Sequence, residues 1–341
     1  MPRIVPTSPE RTFGAGDRFL FVEGETDDAL DAVALRTLLG PFDVKVRAAG
    51  GCDNVIAAAK AFARMGVIPG WGNAECFAIV DRDHRSDEQV GETWSGGPFA
   101  DGRTHLYWRW HEFENHFLEP AFVAQSQYLR PGRTEEDLRN ALLVEAKRRV
   151  FLDAANLVLK ALREEWRWWD VPEFRLNEAD FGTASAARTS LLTGRDYERM
   201  AADKAAVLAP QSLVERFDAN VALLLGEADD GQLEFGLGQW LQRMEGSNLV
   251  GAVLHERLLQ VRGSDGRDLT GPDLRVRVAR DLMRRFDDLA HRPEDLVAVR
   301  DYFRDTQPAV PLYGYGGRPS VAVTGPPPRG PSTFFRMIQT G

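Results

Sequence analysis

The chain has 341 residues, of which 43% are hydrophobic and 27% are charged, and its formal net charge is −9. This composition is typical of a globular protein with a core of ordinary size, and the length is natural for two domains. The acidic balance argues against a protein that coats nucleic acid, and a total of two cysteines excludes a disulfide framework.

No targeting or membrane segment is expected from the sequence. The opening stretch, MPRIVPTSPERTFGAGDRF, lacks the apolar core of a signal peptide. No apolar run approaches the length that spans a bilayer. Because the two cysteines, Cys52 and Cys76, suit a reducing compartment, a cytoplasmic location is expected.

Short apolar runs alternate with amphipathic helical patterns from residue 18 to about 110. The runs RFLFVE, FDVKVRAA, AECFAIV and RTHLYWRW predict four strands. TDDALDAVALRTLLG, with Thr26 as its N-cap, and CDNVIAAAKAFARMG predict helices between the first three strands. This order favours an α/β fold with a parallel sheet and right-handed crossovers, in which ligands bind beyond the carboxyl ends of the strands.

Helical periodicity replaces the strand pattern after about residue 125. A cap at Thr134 begins a long helix, and further helical patterns continue to residue 305. The Pro- and Gly-rich end predicts an extended arm, either a floppy terminus or a segment that docks on a partner or a second copy. The predicted organisation is an N-terminal lead (1–17), an α/β domain (18–125), an all-helical domain (126–305) and a tail (306–341).

Acidic residues follow the predicted strands. Glu23 ends the first strand, and Asp27 lies one helical turn beyond it. Asp81 and Asp83 follow the third strand at a spacing that puts both side chains on one side of an extended chain. Two glutamates in WHEFENHFLEP come after the fourth strand. Four or five carboxylates are therefore expected at one edge of the sheet.

Carboxylates packed this closely repel one another unless they are protonated or bind a cation. Hard oxygen ligands suit Mg²⁺ or Mn²⁺, and two such ions about 4 Å apart assist phosphodiester cleavage. A single acid after a strand is usually a cap or a solvated turn residue, so the interpretation depends on the whole set. Zinc is disfavoured, because His111 and His116 are five residues apart and a zinc-binding helix needs a spacing of four.

Several other residues are candidates for contact with a substrate. A glycine turn that leads into a helix binds phosphate through backbone N–H groups, although a turn without a ligand is equally consistent. A histidine beside the Asp pair suits phosphate contact or proton transfer, and three arginines share one face of a later helix. These residues are Gly50, Gly51, Asn54, His84, Arg277, Arg280 and Arg284.

The segments FVEGETD, GG-x-x-NV, IVDRDH and FENHFLEP resemble, in this order and spacing, the Toprim family. The resemblance covers roughly residues 18–120. The nearest branch comprises stand-alone effectors encoded beside ATPases in bacterial anti-phage systems such as PARIS, and the overcoming-lysogenization-defect nucleases are more distant. It implies a Toprim (Rossmann-like) parallel-sheet domain and a Mg²⁺-dependent nuclease.

The resemblance also implies roles for individual residues. Glu23 would be the general acid–base or metal-bound glutamate, and Asp81 and Asp83 would hold Mg²⁺. Asp27 and Glu114 would complete the metal site.

The second glutamate of WHEFENHFLEP is preferred to the first for the metal site. Glu114 is placed ahead of Glu112 because it directly precedes Asn115, as in the family segment. The chain departs from the usual pattern in its long insertion HRSDEQVGETWSGGPFADG, which leaves substrate contacts open.

The function implied by the resemblance is that of a toxic endonuclease in an anti-phage system. Its substrate would be RNA, including tRNA, or DNA, and an ABC- or AAA-type ATPase encoded nearby would control it. A second copy of the chain is a further candidate partner. The alternative is a catalytically weak Toprim module that docks to the ATPase. A topoisomerase or a primase is disfavoured, because no DNA-gate tyrosine domain or zinc-binding domain is recognisable.

Overall fold

Four apolar runs form one parallel sheet in the computed structural model, which describes residues 17–65, 74–83, 85–166, 173–175, 180–197, 199, 208–226 and 232–306. The strands are β1 (Arg18–Val22), β2 (Val44–Ala48), β3 (Glu75–Val80) and β4 (His105–Tyr107), and their order is β2-β1-β3-β4. All three strand pairs are parallel. The predicted α/β parallel sheet is thus confirmed, although β4 is shorter than the run RTHLYWRW.

The strand order positions the functional edge of the sheet. The chain passes from β1 to its neighbour β2, and then crosses over β1 to β3 on the other side. The carboxyl ends of β1 and β3 therefore lie at a topological switch point, where open α/β sheets bind ligands. In the β1–β3 pairing Val22 lies opposite Ile79, so the residues that follow the two strands begin almost level.

Helices α1 (Leu30–Leu39) and α2 (Cys52–Met65) connect the first three strands. Alternate side chains of β1 enter two separate cores, because successive residues of a strand point to opposite faces. Phe19 and Phe21 pack toward α2, whereas Leu20 belongs to the larger core on the other face. The predicted N-cap at Thr26 is wrong, since α1 begins at Leu30 after Ala29.

The insertion after β3 contains a helix that was not predicted from the sequence. Helix α3 (Asp87–Trp94) begins at a capping box, in which the Ser86 side chain accepts from the Gln89 N–H and the Gln89 side chain accepts from the Ser86 N–H. The Trp94 indole then donates to the Tyr107 carbonyl at 2.7 Å, which fixes α3 against β4.

The regular elements of the described chain after β4 are helices, apart from isolated bridges, as the periodicity predicts. Thr134 and Asp137 form reciprocal hydrogen bonds that cap the longest helix, which confirms the predicted start. These elements are two 3-10 helices (Phe113–Leu118 and Phe286–Asp288), α4 (Pro120–Val123), α5 (Glu135–Trp166), α6 (Ala184–Thr193), α7 (Pro210–Leu225), α8 (Trp240–Arg243), α9 (Gly246–Val253), α10 (Gly271–Arg284) and α11 (Glu294–Asp305).

The sheet and the helical part share one hydrophobic core. Leu20 of β1 belongs to the same buried cluster as Phe217 of α7 and Leu282 of α10. Arg18, which is 1% exposed, donates to the Phe303 carbonyl at 2.9 Å and so joins β1 to the last described helix. The domain division at residues 125 and 126 stays a prediction, and the predicted tail lies outside the described residues. Within the described residues no helix is both long and apolar enough to cross a membrane.

Candidate functional site

Glu23 and Asp81 meet where β1 and β3 end. Oε1 of Glu23 accepts a hydrogen bond from the Asp81 backbone N–H at 2.9 Å. Oδ1 of Asp81 accepts from the Phe113 backbone N–H at 3.0 Å, in the segment that follows β4. Two carboxylates therefore link the ends of three neighbouring strands, as the strand-end pattern predicts for Glu23 and Asp81.

These two groups interact electrostatically with further carboxylates. Burial raises the pKa of Glu23 to about 7, and the nearby Asp83 carboxylate adds to that shift. Burial also raises the pKa of Asp81 well above its usual range, and repulsion from Glu23 is the next cause. The interacting groups, which we call the carboxylate cluster, are Glu23, Asp31, Asp81, Asp83, Glu112 and Glu114.

Asp31 is a member of the cluster that the sequence analysis missed. It lies in the first turn of α1, where its Oδ1 accepts from the Ala32 N–H at 2.7 Å. Burial is the main cause that raises its pKa to about 7, and repulsion from Glu114 and Glu23 adds to the shift. Gly24 permits this approach: its φ is +123°, and a Cβ there would lie 3.0 Å from Oδ1 of Asp31.

Asp27 lies elsewhere, although the family resemblance assigned it to the metal site. Its carboxylate is 3.0 Å from Nη1 of Arg47 and 3.4 Å from Nη2 of Arg36. The Ala48 N–H also donates to it at 3.2 Å. Half of the Asp27 side chain is exposed, and its two arginine neighbours hold it over β2. The structure therefore brings Asp31 to the cluster and leaves Asp27 outside it.

Both glutamates after β4 reach the cluster. Oε2 of Glu112 accepts from the Ser247 N–H at 2.7 Å, and burial raises the Glu112 pKa to about 7, with repulsion from Glu114 next. Burial raises the pKa of Glu114 as well, and the Arg275 guanidinium partly opposes that shift. The sequence favoured Glu114 over Glu112 for the metal site, but the structure does not distinguish them, because both glutamates interact with Asp81.

Arg85, which was not among the residues predicted from the sequence, lies at the Asp83 end of the cluster. Its Nη1 lies 3.5 Å from Oδ2 of Asp83 and donates to the Asp81 carbonyl at 3.2 Å. Its Nη2 donates to the Cys52 sulfur at 3.0 Å, and the guanidinium stacks 4.2 Å from the centre of the Tyr107 ring. These contacts fix one positive charge beside several negative ones.

The glycine turn lies at the same edge as the cluster. Gly50 has φ +86°, and its N–H donates to the Gly24 carbonyl at 2.9 Å, so the turns after β1 and β2 are joined. Gly51 precedes α2, whose first residue is Cys52. Asn54 is therefore in the first turn of α2. His84, the candidate for phosphate contact, lies outside the described residues.

The predicted basic face of α10 is not directed at the cluster. Arg275 is the α10 residue that interacts with Glu114. At about 100° per residue, Arg277, Arg280 and Arg284 lie about 140 to 200° around the helix from Arg275. Arg277 and Arg284 are exposed. The substrate role predicted for these three arginines stays a prediction, and any such contact lies on the far side of α10.

The two histidines that flank the glutamates are core residues. His116 is fully buried among Trp108, Trp110 and Phe113, and neither ring nitrogen has a hydrogen-bond partner. Burial lowers the pKa of His116 to about 3. His111 is also buried, and burial lowers its pKa to about 4.

His116 should make the folded protein less stable in acid. Because its folded pKa lies below the unfolded value of 6.5, the unfolded chain binds more protons as the pH falls through 6.5. The unfolding free energy of wild type should therefore fall as the pH is lowered from 6.5 to about 3, by up to about 1.4 kcal/mol per pH unit. We expect His116→Phe to lack this contribution. Urea unfolding of both proteins across this range measures the difference, and parallel pH curves would contradict the prediction.

The donor chemistry of the cluster fits a hard divalent cation, since every member offers carboxylate oxygens. As placed, no three His, Cys, Asp or Glu side chains within the described ranges converge tightly enough to hold a metal ion. Glu23, Asp81 and Glu112 each direct one oxygen at a backbone N–H. Binding a cation would require some of these oxygens to turn toward a common centre.

Comparisons with known proteins add no identification. No protein-family model matches the chain, and a search of the curated proteins finds no match. The fold and site thus define an α/β protein that carries a cluster of partly buried carboxylates at the switch point of a parallel sheet.

Proposed function

We propose that the protein is a metal-dependent nuclease of the Toprim type, with the carboxylate cluster as its active site. One observation supports this above all: carboxylates from three strand ends and one helix start interact at the switch point. Burial raises the pKa of five of them, and repulsion from neighbouring carboxylates adds to the shift in four. A stable fold gains nothing from such repulsion, and strongly perturbed pKa values are found more often at active sites than elsewhere.

Mg²⁺ or Mn²⁺ would be held by Glu23, Asp81 and Asp83, with Asp31 and Glu114 beside them. A bound ion supplies positive charge for phosphate oxygens and lowers the pKa of water. Glu23 is the residue that we assign to proton transfer with the attacking water. Its carboxylate is already oriented by the Asp81 N–H, and Arg85 is fixed beside Asp83, where it limits the negative charge that an incoming phosphate meets.

The biological role that we propose follows the family resemblance. The substrate is RNA, including tRNA, or DNA, and the chain acts as a toxic effector in anti-phage defence. An ABC- or AAA-type ATPase encoded nearby restrains it, and a second copy of the chain is a candidate partner. Purified full-length chain, incubated with total tRNA and with plasmid DNA in Mg²⁺, Mn²⁺ or EDTA, tests the activity. Metal-dependent cleavage of either substrate is expected.

A second candidate is a catalytically weak module that binds the ATPase. The hydrogen bonds from backbone N–H groups to Glu23, Asp81 and Glu112 favour it, because such carboxylates also serve to tie strand ends together. Co-purification with an ATPase, without cleavage after the ATPase is removed, would support this candidate over the nuclease.

Replacing Asp31 should affect cleavage more than replacing Asp27. Asp31→Asn removes a charge that interacts with Glu23 and Glu114, so we expect cleavage to fall by about 10- to 100-fold. Asp27→Asn removes an exposed ion pair with two arginines and should leave cleavage within about threefold of wild type. Single-turnover cleavage rates of the two variants measure this contrast. A larger fall of the cleavage rate in Asp27→Asn than in Asp31→Asn would assign Asp27 to the site and contradict the assignment of Asp31.

A further inference from the structure

A concave site lies against helix α3, which belongs to the insertion after β3. Its other walls are the segment after β4, the residue before α4, helix α8 and the start of α11. Its volume is about 620 Å³, which is within the range of small-molecule sites. We call it the insertion pocket, and the lining residues on which its chemistry depends are Arg82, Asp87, Arg109, Trp110, Glu119 and Asp295.

The insertion pocket shares two stretches of chain with the carboxylate cluster. Arg82, which lines the pocket, lies between Asp81 and Asp83 in the chain. Trp110 lines the pocket as well, and Glu112 of the cluster follows it two residues later. Because the Cα atoms of residues two apart lie within about 7 Å of each other, the pocket adjoins the cluster.

Two aspartates of the insertion pocket already have arginine partners within it. Nη2 of Arg82 lies 2.7 Å from Oδ1 of Asp87. Asp295 accepts from Nη1 of Arg109 at 3.2 Å and from the Arg109 backbone N–H at 3.1 Å. These pairs place both signs of charge on the walls, so a ligand with one strong charge would meet a like charge. The lining therefore suits an uncharged ligand that has both hydrogen-bond donors and acceptors.

Glu119 is a half-buried lining carboxylate that has no partner. Its side chain forms no hydrogen bond or ion pair with any residue that the structure describes. Burial raises the pKa of Glu119 to about 7, and repulsion from Glu294 and Asp295 adds to the shift. Two adjacent N–H donors of a ligand would satisfy both carboxylate oxygens and favour the ionised form.

Two flat groups line the same space. The Arg109 guanidinium lies 4.2 Å from the centre of the Trp94 ring, which covers one of its faces. The Arg109 side chain is still 46% exposed, so its other face remains accessible. The half-buried Trp110 indole is the second flat group. Unpaired nucleobases stack on aromatic rings and on guanidinium planes of this kind.

We propose that the insertion pocket binds a guanine base. Among the common bases guanine alone carries two neighbouring donor groups, N1–H and the N2 amino group, and these match the two oxygens of Glu119. Its O6 and N7 acceptors match the paired donors of an arginine. The exposed Arg292, which lines the pocket and whose ion pair with Asp287 is 3.9 Å long, supplies such donors. Adenine and cytosine offer one amino group, so each would leave one Glu119 oxygen without a donor.

The guanine has two possible sources. Because the insertion pocket adjoins the carboxylate cluster, an unpaired guanosine of a substrate strand would place its base in the pocket while a nearby phosphodiester lies at the cluster. This placement rests on the proposed nuclease function. A free guanine nucleotide presents the same donors and acceptors, and its binding needs no cleavage.

Binding measurements in EDTA test the insertion pocket separately from cleavage. Two labelled single-stranded RNAs of equal length carry either guanosine or inosine at spaced positions among uridines, since inosine lacks only the N2 amino group. Calorimetric titration with GTP and with ITP makes the same comparison for a free nucleotide. We expect wild type to bind the guanine member of at least one pair about tenfold more tightly, as measured for the strands by fluorescence anisotropy.

Glu119→Gln should remove this preference, because the glutamine NH₂ group would face the donors of the base. Glu92→Gln is the matched control: it makes the same change of charge at an exposed position of α3 outside the pocket and should keep the preference.

Gly91 supplies a second variant that leaves Glu119 in place. It lines the pocket from α3, and a Cβ at this position would meet no atom within 4 Å. Gly91→Trp should therefore narrow the pocket without a clash at Cβ, and we expect it to lose the preference for guanine. Gly91→Ala adds one methyl group and should keep it. Urea unfolding of both variants checks that each is folded.

The pattern across the two pairs of probes identifies the source of the guanine. A preference between the strands assigns the pocket to a strand, and a preference for GTP over ITP alone assigns it to a free nucleotide. The inference is overturned if wild type prefers guanine in neither pair, or if Glu119→Gln and Gly91→Trp bind as their controls do. A guanine preference without metal-dependent cleavage would contradict only the nuclease function, and cleavage without a guanine preference would contradict only the pocket.

Discussion

Glu23→Gln is expected to lower the rate of metal-dependent cleavage by about a hundredfold to ten-thousandfold, the usual range for loss of a proton-transfer group. The glutamine keeps an oxygen for the Asp81 N–H, so the local hydrogen bond survives. It loses the charge that interacts with Asp81 and Asp83. Because that charge is partly buried and repelled by its neighbours, the unfolding free energy should stay within about 1 kcal/mol of wild type or rise.

The matched control is Glu25→Gln, two residues away and on an exposed part of the same turn. It makes the same change of charge outside the cluster, and cleavage within about twofold of wild type is expected. Initial rates on the substrate that wild type cleaves, together with urea unfolding of all three proteins, give both quantities. Equal loss of cleavage in the two variants would indicate a general electrostatic effect, and retention of cleavage by Glu23→Gln would remove Glu23 from the chemistry.

Asn115→Ala is expected to lower the unfolding free energy by about 3 to 5 kcal/mol, from the loss of the three hydrogen bonds that its buried amide makes. Oδ1 of Asn115 accepts from the Glu112 N–H at 2.9 Å, and Nδ2 donates to the carbonyls of Leu241 and Met244 at 2.8 and 2.9 Å. Asn115 is fully buried, so alanine would leave these backbone groups without partners. Asn115 thus joins the turn that carries two cluster glutamates to the region around α8 and α9.

Urea unfolding of Asn115→Ala beside Asn140→Ala measures this effect. Asn140 is exposed on α5, and its replacement should change the unfolding free energy by no more than about 0.5 kcal/mol. Gly246→Ala probes the same contact from the other side, because a Cβ at that position would overlap Oδ1 of Asn115. A change of less than 1 kcal/mol in Asn115→Ala would show that the turn is held by other contacts.

The sequence predicts the part of the site that depends on strand ends. Apolar runs followed by Glu23, Asp81 and Asp83 specify a buried strand and a polar residue just beyond it, and parallel strands bring their carboxyl ends together. The glutamates after β4 follow from the same rule. These residues could be predicted because a short stretch of sequence shows where a buried strand ends, and because all parallel strands end at the same edge of the sheet.

The remaining residues depend on contacts that a local pattern does not contain. Asp31, and not Asp27, belongs to the cluster, because Asp27 forms ion pairs with Arg36 and Arg47 and because α1 begins at Leu30. Arg275 reaches Glu114 from a helix that is far along the chain.

One feature missed in the insertion did carry a local signal. Ser86 followed three residues later by Gln89 is a capping box, and it predicts the start of α3 within the insertion. Arg85, directly before this box, is positioned by the turn that precedes α3 and so could have been expected near the end of β3.

Anomalous diffraction from crystals of the full-length chain soaked in Mn²⁺ tests the proposed metal site most directly. We expect an anomalous peak within ligand distance of carboxylate oxygens of Glu23 and Asp81, and the same peak should be absent from crystals of Glu23→Gln. Peaks located only at exposed acids outside the carboxylate cluster, or no peak in Mn²⁺-soaked crystals, would contradict the assignment of the cluster as a metal site.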